Sequence, residues 1–63
     1  MTDVPPAERL RRLRHDLSNP LSALLAETQL LLLSEDTLDP ETAAGLRRIE
    51  ALSIRMRTLL RED

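Results

Sequence analysis

Leucines recur through the first half of this chain at steps of three and four: Leu10, Leu13, Leu17, Leu21, Leu24, Leu25, Leu31 and Leu32. An α-helix turns once in about 3.6 residues, so this spacing gathers apolar side chains on one side of a helix. It predicts a helix over about residues 7–33, opened by Pro5-Pro6, where the missing proline N–H would be unpaired anyway. Residues 1–6 read as a flexible tail. Pro20 falls inside the periodic run and is expected to kink the rod. It does not end the helix, because the apolar spacing resumes at once. Residues 34–39 read as a turn. Asp39-Pro40 then combines an N-cap carboxylate with proline at the first helical position, and Glu41 places negative charge where the helix dipole favours it. A second helix is predicted over about residues 40–61, with Leu46, Ile49, Leu52, Met56, Leu59 and Leu60 as its stripe.

Two helices joined by a short turn make an antiparallel hairpin. Each has a wide apolar side, and one hairpin cannot cover both. Leu13, Leu17 and Leu21 are expected to point to a core. The predicted fold is all-α: a hairpin over residues 7–63 that pairs with a second copy into a homodimeric four-helix bundle. Composition points the same way. Sixty-three residues form one domain at most, and a core this small rarely supplies more than about 3–5 kcal/mol. There is no cysteine and only one histidine, so neither a disulfide nor a zinc site is available as a staple. No metal or cofactor is expected on the chain. Leucine fills fifteen positions and no residue is aromatic, which suits packed helices and suits strands badly. The one glycine, Gly45, falls inside the second helix, where it costs roughly 1 kcal/mol relative to alanine.

The net charge of −2 gives no overall pull toward nucleic acid or an anionic membrane. The charges are nonetheless patterned. Arg9, Arg11, Arg12 and Arg14 open the first helix and Arg55, Arg57 and Arg61 close the second, so an antiparallel hairpin brings both groups to one end. Between His15 and Leu46 every charged residue is acidic. The start of the chain lacks an apolar signal region, and the longest apolar run, Leu30 to Leu33, is too short to span a bilayer. A cytoplasmic location is expected, with no direct membrane insertion, although a longer parent protein could be membrane-anchored.

The segment with chemistry in it is Arg14-His15-Asp16-Leu17-Ser18-Asn19-Pro20-Leu21. His15 lies two residues from both Leu13 and Leu17, about 200° around the helix from each, which turns its imidazole to water. Asn19, at i+4, shares that face, and Asp16 stands on its flank. A neutral imidazole is a good nucleophile near neutral pH. Exposed, it can meet a phosphoryl donor in line. A neighbouring carboxylate can orient the ring or accept its proton. An amide one turn away can position water.

The stretch His15-Asp16-Leu17-Ser18-Asn19-Pro20-Leu21 resembles the H-box of sensor histidine kinases, in which His and an acid are followed by an apolar residue, any residue, Asn or Thr, Pro and Leu. Residues 49–60, with Arg55-Met56 and Leu59-Leu60, are similar to the second helix of that family's dimerisation and histidine-phosphotransfer domain. The resemblance covers about residues 8–61. It implies that His15 accepts phosphate, that Asp16 is its acid/base partner, that Asn19 positions water in dephosphorylating a response regulator, and that Pro20 is a structural kink. It implies a homodimer as partner, a receiver domain carrying the acceptor aspartate and its magnesium, and an ATP-binding domain acting in cis or in trans. The glycine-rich lid of that ATP-binding domain is not in this sequence. The chain by itself is therefore expected neither to bind ATP nor to act as a kinase: it is either an excised domain or a standalone acceptor.

Two other readings stand beside this one. The hairpin could be a non-catalytic interaction module, a scaffold or a small RNA-binding dimer. The arginine groups favour the RNA version, while net acidity and the lack of aromatic stacking residues oppose it. It could also be a degenerate phosphotransfer domain kept to recruit receivers or sequester a kinase.

Overall fold

The computed structural model describes residues 4–61. These form two antiparallel helices, α1 over Pro6–Leu32 and α2 over Pro40–Arg61, with a short 3-10 turn over Glu35–Thr37 between them. There is no strand among the described residues. Helix α1 begins at Pro6, one residue inside the stretch read as a tail; residues 1–3 of that tail lie outside the described residues. The Pro5 carbonyl accepts the amides of Glu8 and Arg9 at 3.0 Å each, which substitutes for a side-chain cap. The helix continues through Pro20. Because Pro20 has no N–H, the carbonyl of Asp16 loses its i+4 backbone donor there.

The connection is tightened by backbone bonds, with Thr37 N–H donating to Ser34 O and Leu38 N–H to Glu35 O. Glu35 pairs with Arg47 of α2, tying the turn to the returning helix. No described residue has a positive φ, so the reversal needs no glycine. Asp39 caps α2. Its Oδ2 accepts the Thr42 amide at 3.0 Å, its Oδ1 accepts the Thr42 hydroxyl at 2.6 Å, and its carbonyl accepts the Ala43 amide. These bonds hold the Asp39 carboxyl below the ordinary aspartate range, the Thr42 hydroxyl first and the Thr42 amide second.

The seam between the helices takes only part of the leucine stripe. Its buried residues are Leu21, Leu25 and Thr28 on α1 and Ala43 and Ser53 on α2. Half-buried Arg14, Ser18 and Leu32, and Leu46, Glu50, Arg57 and Leu60, extend the two rows at alternating steps of three and four. Thr28 is 3 % exposed and Ser53 1 %. Burying these hydroxyls costs little because each bonds within its own helix: Ser18 to Arg14 O, Thr28 to Leu24 O and Ser53 to Ile49 O, all at 2.7 Å. No buried side-chain polar atom is unpaired among the described residues.

Leu13 and Leu17, expected to point to a core, are exposed in the single chain. With Leu10, Leu24 and Leu31 they form a second row beside the seam, matched on α2 by Ile49, Leu52, Met56 and Leu59. Gathering all leucines into one stripe hid the fact that two adjacent rows are present. The molecule measures 54 × 19 × 14 Å, a slab one helix deep. Its accessible surface is 5318 Å2 for a mass of 7.2 kDa. A compact monomer of that mass exposes about 4,100 Å2, so roughly 1,200 Å2 is in excess.

Candidate functional site

Three of the four singled-out residues share a neighbourhood on the outer side of α1. The His15 and Asp16 side chains are each 78 % exposed, with Nδ1 of the imidazole 3.7 Å from Oδ1 of the carboxylate. That is beyond hydrogen-bond length. Asn19 is exposed one helical turn beyond His15 and on the same face. Successive residues turn by about 100°, which sets Leu13, Leu17 and Leu24 within about 20° of the point opposite His15. The His15 face and the open leucine row therefore lie on opposite sides of one helix.

Pro20 is not part of the polar group. It lines an apolar groove of about 430 Å3 with Leu17, Leu21, Leu24, Met56, Leu59 and Leu60. Its effect on the His15 side runs through the backbone, by withholding a donor from the Asp16 carbonyl.

The surroundings of His15 are rich in arginine. Arg12 pairs with Glu8 at 3.5 Å, one turn back along the helix. Arg14 lies on the seam row of α1, half-buried, and is not free. Arg11 is exposed, at i−4 from His15. The other end of the hairpin is acidic, with Glu35, Asp36, Asp39 and Glu41 around the turn. Among the described residues no group of three or more His, Cys, Asp and Glu could hold a metal ion, and no helix is long and apolar enough to cross a membrane.

The chemistry available is that of one accessible imidazole, an exposed carboxylate beside it and an amide a turn away. Sequence reading located these positions by residue type, helical spacing and the H-box resemblance. It missed the seam residues Thr28, Ala43 and Ser53. The available signal was helical spacing: Thr28 continues the Leu21–Leu25 row on α1, and Ala43 and Ser53 continue the row of Leu46 and Leu60 on α2. Comparison with known proteins found no matching family model, curated protein or solved structure.

Proposed function

We propose that this chain is the dimerising, phosphate-accepting hairpin of a two-component sensor histidine kinase, with His15 as the acceptor. The observation that carries the reading is the geometry at His15: an imidazole open to solvent, Nδ1 turned toward Asp16, and Asn19 on the same face. With a proton on Nδ1 facing the Asp16 carboxylate, Nε2 holds the free electron pair. That pair attacks the γ-phosphorus of ATP held by a separate domain, in cis or in trans. The Nε2–P bond forms, the bond from phosphorus to the bridging oxygen breaks, and ADP leaves with its electrons. Asp16 eases the loss of the Nδ1 proton from the resulting imidazolium. In the second step an aspartate oxygen of a receiver domain attacks the same phosphorus and the imidazole departs as the leaving group. Asn19 positions the water that later hydrolyses the receiver's acyl phosphate. A cytoplasmic setting, where ATP is available, belongs to this reading.

The dimer is part of the proposal. The excess surface of one protomer, doubled, is roughly 2,400 Å2, within the range of obligate homodimer interfaces. The open leucine row, the groove lined by Met56 and Leu59, and the one-helix depth of the slab all support a second copy covering this face. Pairing there leaves His15 outermost.

The test supplies a histidine-kinase ATP-binding domain and radiolabelled ATP to the purified chain. Acid-labile, base-stable label is expected on the wild type and not on His15→Gln. Undiminished label on that variant would overturn the assignment. The interaction-module reading keeps the leucine face and dispenses with His15. It is favoured by a stable dimer that takes no label from any such domain.

A further inference from the structure

Phosphorylating His15 would put close to two negative charges beside Asp16, and like charges within one helical turn repel. The α1 arginines differ sharply in their ability to answer that charge. Arg9 is turned about 120° from His15 around the helix axis. Arg12 pairs with Glu8 at 3.5 Å, and Arg14 is half-buried on the seam row and already engaged. Arg11 is exposed, only about 40° from His15 and one turn away, and no described residue forms an ion pair with it. Asp16 occupies the Nδ1 side of the ring, so a phosphoryl group on Nε2 is directed away from it. A guanidinium is planar and can hold two phosphoryl oxygens at once.

We propose that Arg11 is a positioning residue whose guanidinium clamps the phosphoryl group on Nε2 of His15 and prolongs the life of the phosphohistidine. The inference rests on His15 as acceptor, and it is tested without a kinase. Phosphoramidate, a small chemical donor, loads an exposed imidazole directly: the Nε2–P bond forms as the donor's P–N bond breaks and ammonia leaves with the electron pair. In the loaded full-length chain, the Arg11 Nε–H resonance is expected to shift in nitrogen–proton NMR, while that of Arg12 moves little. The phosphohistidine is expected to hydrolyse about two- to fivefold faster in Arg11→Ala than in wild type, the range set by an exposed ion pair. Arg11→Lys should recover part of the lifetime and Arg12→Ala should leave it unchanged. An Arg11 resonance that does not move, or equal lifetimes in wild type and Arg11→Ala, would overturn the clamp. If the clamp is seen but no kinase domain labels His15, the pairing stands and the signalling reading fails. If a kinase domain labels His15 and no clamp is seen, the signalling reading stands and the pairing fails.

Discussion

Leu24 and Leu25 are neighbours in sequence and face different surroundings: Leu25 is 5 % exposed against α2, while Leu24 is 46 % exposed on the open leucine row. A step of about 100° around the helix separates the seam that folds the hairpin from the surface proposed to pair two hairpins. The two positions therefore dissociate folding from assembly. Leu25→Ala should cost about 2–5 kcal/mol, enough to unfold a domain of this size, and read as lost helical circular dichroism. Leu24→Asp should remove the dimer in sedimentation at micromolar concentration. A wild-type chain that sediments as a well-folded monomer would count against the pairing.

Gly45 sits inside α2 with ordinary helical backbone. A β-carbon added there meets only the end of the Arg48 side chain, at 3.9 Å. Gly45→Ala should stabilise the fold by about 0.4–1 kcal/mol, chiefly by restricting the unfolded chain. Denaturant melts at matched protein concentration measure it.

Asp39 makes stability depend on pH in a defined direction. Its folded pKa lies below the unfolded value because the ionised carboxylate accepts bonds from Thr42. The stabilisation is thus complete above about pH 4, the unfolded aspartate value, and is lost as pH falls through the lower folded value. Asp39→Asn should melt lower than wild type at pH 7. That gap should narrow as the pH falls below about 4, in melting temperatures taken across the acid range.

For Asn19, exposed beside His15 and outside the seam, substitution should spare folding. Asn19→Ala is expected to slow dephosphorylation of a phosphorylated receiver roughly ten- to a hundredfold, as lost positioning of a reactant does. Transfer from His15 to the receiver should change far less. Equal loss of both rates would remove the water-positioning role.

Much of this architecture is readable from spacing. The leucine steps mark α1, Asp39-Pro40 marks the start of α2, and counting from Leu13 and Leu17 turns His15 outward. Thr28, Ala43 and Ser53 are not legible in the same way, because hydrophobicity is a poor guide where two helices approach closely. There, small side chains set the distance, and a hydroxyl that bonds the carbonyl four residues back behaves as an apolar one. Leu13 and Leu17 show the complementary point. Periodicity shows that a side is apolar, not which neighbour covers it. Pro20 is legible as an interruption, while its place on the groove requires α2 in three dimensions.

A body 14 Å deep leaves no side chain more than one layer from water. Under the proposed pairing, dilution acts as a denaturant: removing the second copy rehydrates the leucine row and takes away part of what holds α1 against α2. The melting temperature of the wild type should then climb with protein concentration, as it does wherever folding and association are one equilibrium.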